Sequence, residues 1–258
     1  MASKYFTVAV KPTVTASLQH TAAFGSGEVL FDWTSFQVPR GANKLVSATA
    51  MVRAKGDATP TANPFGLQLL FSSTNTVSLG TINSAVANRP SDDFLGFVEF
   101  AVASYTAASV VSTALACLPH GDDATNFAPL ILEGNIGTGD NVGYDTIYIG
   151  GVTQGAFDWS GSLNAIAEDG AAEAASTQAI TMDGTGMDVR EHFIAGDVLH
   201  IGTSVGSPAA DSVIGTVESV SDATTGPINL TAVSETALVD GDILYNIHPV
   251  KLVLQFER

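Results

Sequence analysis

Gly202-Thr-Ser-Val-Gly206 is a Gly-x-Ser-x-Gly run, a spacing that can present a serine nucleophile. The pattern works when a strand precedes it and a helix follows, so that the serine sits on a strained elbow. Asp197-Val-Leu-His-Ile201 supplies the strand, but Ser207-Pro-Ala-Ala-Asp-Ser212 reads as a short loop into another strand. Ser204 is therefore not expected to be catalytic. The Gly-rich stretch Gly134 to Gly143 would need a helix N-terminus after it to cradle phosphate. A strand at Tyr144 follows instead, and no Gly-Lys-Ser/Thr is present. This stretch reads as a loop.

Metal chemistry finds equally little support. His120-Gly-Asp-Asp123 and Asp140-Asn-Val-Gly-Tyr-Asp145 offer oxygen ligands, but neither has the spacing of a calcium loop. Adventitious or structural calcium is the alternative left open there. His20, His120, His192, His200 and His248 show no zinc spacing. Cys117 lies in the apolar run Ser112 to Leu118 and reads as a buried, inert thiol; as the only cysteine it can form no internal disulfide. Paired carboxylates for sugar hydrolysis leave no signature in sequence, since such pairs are distant along the chain. The expectation is no catalytic residue, no metal and no cofactor, and so not an enzyme.

The elements that would position any site are strands. Val, Thr, Ala, Ser and Gly abound, and the long polar residues of exposed helices are scarce. A hydrophobic fraction of 45% against 14% charged supplies a core and argues against disorder. Alternating runs appear at Tyr5–Lys11, Gly27–Trp33, Asn43–Arg53, Phe65–Phe71, Phe94–Val102, Tyr144–Ile149 and Gly155–Trp159. The Ala-rich run Ser109–Leu118 reads as helix or strand. Phe31-Asp-Trp33 and Phe157-Asp-Trp159 repeat one pattern, with both aromatics of each expected on one strand face in a shared core.

Composition shifts at Ala165–Ser176, a small and acidic stretch that reads as a linker. Short strands follow at 178–182, 197–201, 213–220, 227–230 and 242–246, the texture of a small barrel. Gly196-Asp-Val-Leu-His200 echoes Gly241-Asp-Ile-Leu-Tyr245, each a tight turn opening directly into a strand. A metal site is the functional alternative for these two aspartates. Val250–Phe256 alternates cleanly and must pair with something, most simply the N-terminal strand. The expected fold is all-β: a jelly-roll-like β-sandwich body over 1–165 closed by 248–258, a linker at 166–176, and an inserted or appended small acidic β-barrel at 177–247.

Charge divides along the same lines. The chain carries −16, of which residues 168–247 hold −12 with Arg190 as their single cation. Residues 1–55 carry +4. The overall balance excludes nucleic acid as the main partner, because that binding neutralises phosphates with Lys and Arg. No apolar run approaches the roughly 18 residues of a membrane span. The N-terminus lacks a signal-peptide core, so synthesis in the cytoplasm is expected. Arg40, Lys44, Arg53 and Lys55 are the candidate contact residues for an acidic partner, with the acidic unit pointing away from it.

Phe31-Asp-Trp-Thr-Ser-Phe-Gln-Val-Pro-Arg-Gly41, Leu45–Arg53, Tyr144–Val152 and Phe157-Asp-Trp159 resemble virion structural proteins of tailed phages, particularly those of marine and cyanobacterial hosts. The resemblance spans about half the chain. It implies a virion component made in the host cytoplasm, first a capsid decoration (cement) protein and second a tail, neck or baseplate part. The implied partners are the major capsid protein or another virion protein and other copies of the chain, a trimer by preference. A carbohydrate- or receptor-binding module is the rival reading, for which aromatic residues should cluster on an exposed face.

Overall fold

The computed structural model describes residues 4–21, 23–54, 62–88, 93–107, 114–119, 130–136, 142–159, 166–167, 177–182, 189–203, 209–221, 227–234 and 236–258. Along the chain run β1 (Tyr5–Val10), a short helix α1 (Ala16–Thr21), β2 (Ala23–Phe24), β3 (Val29–Pro39), β4 (Asn43–Val52), β5 (Leu67–Ser72) and β6 (Phe94–Phe100). Next come β7 (Tyr105–Ala107), β8 (Ala114–Pro119), β9 (Leu130–Leu132), β10 (Asn135–Ile136), β11 (Tyr144–Thr153) and β12 (Phe157–Asp158). The remaining strands are β13 (Ile166–Ala167), β14 (Ala179–Ile180), β15 (Val198–Thr203), β16 (Val213–Val220), β17 (Ile228–Leu230), β18 (Ile243–Asn246) and β19 (Val250–Glu257). The protein is all-β in class, and its strand pairs are antiparallel.

Two sheets enclose the larger core. One runs β1-β19-β4-β8-β7, with β9 also on β4; the other runs β10-β11-β5-β6, with β3 on the far side of β11. In β19, Val250, Leu252, Leu254 and Phe256 point inward while Lys251 and Gln255 point out. That alternation seats it between β1 and β4, with Phe6 opposite Phe256 and Val52 opposite Val250. A bulge leaves Val46 unpaired against β19, and the phase of β4 changes there: Leu45 is inward, then Ala48, Ala50 and Val52. The Ala-rich run left open by sequence is strand β8 over 114–119, paired with β4 and β7.

A second bulge corrects the reading of Phe31-Asp-Trp33. Between Ile149 and Gly151 the register of β3 against β11 slips, so Phe31 and Trp33 leave the strand on opposite faces. Phe31 enters the large core, whereas Trp33 packs with Val29, Leu70, Leu79 and Val152 in a separate cluster and donates its indole N–H to the Val77 carbonyl at 2.8 Å. The two glycines make this crossing feasible. A Cβ on Gly151 would collide with the Phe31 ring and one on Gly150 with Leu79 and Trp33. Phe157 and Trp159 do share the large core: Phe157 stacks on Phe24 and on Phe65, whose centroid is 4.0 Å away, and Trp159 meets all three rings edge-on.

The smaller sheet runs β13-β18-β15-β16-β17-β14 and wraps its own core, including Met182, Phe193, Leu199, Ile214, Leu230 and Leu244. Among the described residues its path is open from β13 to β14, where the sequence texture leads one to expect a closed barrel. The Gly-Asp echo proves to be one turn built twice. Gly196 and Gly241 both take positive φ, +88° and +90°. Asp197 accepts from the Ile194 N–H and Asp242 from the Val239 N–H, each at 3.0 Å. The aspartates close turns, which accounts for them without a metal.

Candidate functional site

The sequence does not reveal α1, which is one of the contacts that join the two units. It packs on β15 and β18. Gln19 is buried and donates from Nε2 to the carbonyls of Val14 and Asn246, both at 2.9 Å. Ser17 donates its N–H and its hydroxyl to the two carboxylate oxygens of Asp211. His20 Nδ1 lies 3.2 Å from the Tyr245 hydroxyl. Burial, with the charge of Asp158 nearby, pushes the Tyr245 phenol well above its usual range, so it stays protonated.

A cleft of about 290 Å³ opens beside this joint, between the ends of β1, β4 and β19 and the turn Arg190–Asp197. Four cations line it: Lys11, Arg53, Arg190 and Lys251. Met51, Phe193, Ile194 and Pro249 give it an apolar wall. His192, His248 and Asn246 also line it, together with Gln19, Asp197 and Tyr245. Arg53 Nη1 meets Asp197 Oδ2 at 3.1 Å, with 25% of the Arg53 side chain and 9% of the Asp197 side chain exposed. The guanidinium also lies 5.3 Å from the centroid of the Phe193 ring. Burial lowers the Arg53 pKa, and Asp197 opposes that shift. Burial also lowers His248, aided by Lys11 and opposed by Asp197. Its Nδ1 is buried and finds no hydrogen-bond partner among the described residues.

The contact residues expected from sequence separate into two groups. Arg53 is not on an outer face: it is committed to Asp197 at the joint. Strand alternation reports which side of a sheet a residue occupies but not what covers that side, so the sequence reading left this contact unseen. Lys55 lies outside the described residues. Arg40 and Lys44 sit at the other end of β4, roughly 30 Å away at strand rise. The turn holding them is fixed from both sides: Gly41 N–H donates to Asp145 Oδ2 at 2.8 Å, and Asn43 Nδ2 donates to the Pro39 and Gly41 carbonyls. Asp145 Oδ2 thus helps to fix this turn. Lys4 and Lys44 both bridge Glu257, at 2.5 and 3.1 Å, and Arg258 reaches the Arg40 carbonyl at 3.4 Å. Two cations, Lys4 and Lys44, therefore share the Glu257 carboxylate at this pole.

Ser204, His120, Asp122, Asp123 and Asp140 lie outside the described residues. Cys117 is on β8, with only its strand placement described. Among the described residues, no group of three or more His, Cys, Asp or Glu is arranged to hold a metal ion. The cleft residues that sequence reasoning missed, Arg190 and His192, had one signal: Arg190 is the single cation of an otherwise acidic unit.

No family model and no curated protein matches the chain. Among solved structures, a chain of the one described as "Life in the extremes: atomic structure of Sulfolobus Turreted Icosahedral Virus" aligns over 99% of this chain and 91% of that chain. Identity is 9% and the TM-score 0.16, so this likeness carries no argument about function.

Proposed function

We propose that this protein is a non-enzymatic virion component, a decoration protein of a tailed-phage capsid that attaches through the basic pole of its body. The observation that carries the reading is the opposition of two ends of β4. Lys44 and Arg40 stand at one end beside Lys4 and Arg258. At the other end Arg53 holds the acidic unit. An acidic shell surface would repel the unit that carries most of the negative charge and attract the opposite pole. The segments resembling phage virion proteins supply β3, β4, β11 and β12, which support the body from within. Attachment of many copies, as trimers on the shell, would stabilise the assembled particle over its free subunits by mass action.

Quantitative mass spectrometry of purified particles tests this. A fixed copy number per particle, with attachment slowed at low salt by Arg40→Glu and Lys44→Glu together, is the expected result. Absence of the protein from particles overturns the proposal.

A further inference from the structure

The geometry points to a second site: the cleft at the joint binds a small organic anion, a carboxylate or a phosphate monoester on a flat apolar body. It is independent of the attachment pole and lies at the opposite end of β4. Charge is the first argument. Of ten cations in a chain of net −16, four line this one cleft. Asp197 faces them and is engaged by Arg53 and by the Ile194 N–H. Among the described residues, Lys11 and Lys251 have no carboxylate within ion-pair distance. Lys11 and Lys251 are exposed residues lining the cleft, and their charge draws an anion toward its apolar wall.

Shape and satisfaction are the second and third arguments. A volume near 290 Å³ lies at the small end of the range for small-molecule sites, and an apolar wall with a few convergent polar groups is their usual composition. Phe193 and Pro249 provide flat surfaces, with Met51 as an adaptable filler. His248 brings a buried ring nitrogen that the described protein leaves without a hydrogen bond, and such groups are rarely left unpaired. His248 lines the cleft, so its ring resonances report on a bound ligand whose charge the lysines meet.

Titration calorimetry with phenyl phosphate, benzoate, inorganic phosphate and benzyl alcohol tests the site, with His248 ring shifts by NMR to locate it. The expected result is that phenyl phosphate or benzoate binds at least tenfold tighter than benzyl alcohol and moves the His248 resonances. Whichever of the two binds tighter identifies the acid group. Lys11→Glu with Lys251→Glu should weaken that binding at least tenfold, and the milder Lys11→Gln with Lys251→Gln should weaken it in the same direction. Lys44→Glu, at the far pole, should leave it unchanged. Aromatic anions that bind no tighter than benzyl alcohol overturn the proposal. So does affinity indifferent to both double variants. Inorganic phosphate binding as tightly as phenyl phosphate would show that the apolar wall takes no part, and overturns the organic ligand.

Discussion

The body and the smaller unit solve the same problem by different means. Body strands are long, β3 with 11 residues and β4 and β11 with 10 each, and they bury a core stacked with phenylalanines. The smaller unit has mostly shorter strands and a core made largely of aliphatic residues. It relies instead on a turn used twice. One copy of that turn has a further role, since Asp197 both closes the turn and grips Arg53 of the body. The comparison teaches that the body is held by side-chain burial along continuous strands. The smaller unit is held by fixed corners, one of which doubles as its attachment.

The strongest way to break this contrast is to remove β19. Deleting residues 248–258 takes the strand from between β1 and β4 and should abolish the near-UV circular dichroism of the body; a truncated protein that melts as before would contradict its role. Point changes come next. Phe256→Ala removes a ring stacked 5.2 Å from Phe6 and tilted against Phe36, and should cost about 3–5 kcal/mol in denaturant unfolding. Leu230→Ala, in the smaller core, should cost about 2–5 kcal/mol. Its signature should be faster hydrogen exchange over 177–247, with the body strands still protected. Equal loss of protection everywhere would mean that the two cores unfold as one.

The joint can be isolated with a double-mutant cycle. Asp197→Ala leaves the Arg53 guanidinium without its carboxylate and should destabilise by about 3 kcal/mol, the low end for a broken buried pair because part of Arg53 meets solvent. Adding Arg53→Met should recover part of that loss. No recovery would show that Asp197 matters only to its own turn. The smallest effect is pH. Burial holds His20 and His248 below the ordinary value of 6.5, so each binds fewer protons folded than unfolded. Stability from this source is complete above pH 6.5 and falls as pH drops through the depressed folded values. His248→Gln should flatten the part of that slope that arises at the joint.

Strands whose alternation is unbroken could be read directly from sequence. Val213–Val220 forms β16 with those bounds, and the alternating end of the chain is β19 between β1 and β4. Slips defeat that kind of reading. The bulge opposite Gly150 and Gly151 turns Phe31 and Trp33 apart, and alternation alone places them together. The helix α1 escaped for another reason. Six residues, Ala16-Ser-Leu-Gln-His-Thr21, make fewer than two turns and show no apolar period; partners nearly two hundred positions or more away, Asp211 and Asn246, hold it. Of the site, Arg53 and Arg190 were visible as cations, but only the folded joint brings them into one cleft.

The position of β19 also sets an order of events during synthesis. β1 and β4 leave the ribosome long before the strand that must lie between them, and their inward faces, Val10, Leu45, Ala50 and Val52, wait uncovered on that side. The smaller sheet has its own core and draws its paired strands from residues 166–246, all of which emerge before β19. The body's β1-β19-β4 sheet is therefore the last to close, through contacts of very high sequence separation, which makes it the slower of the two to fold. Until then its open edges are where a nascent copy is most exposed to pairing with another chain.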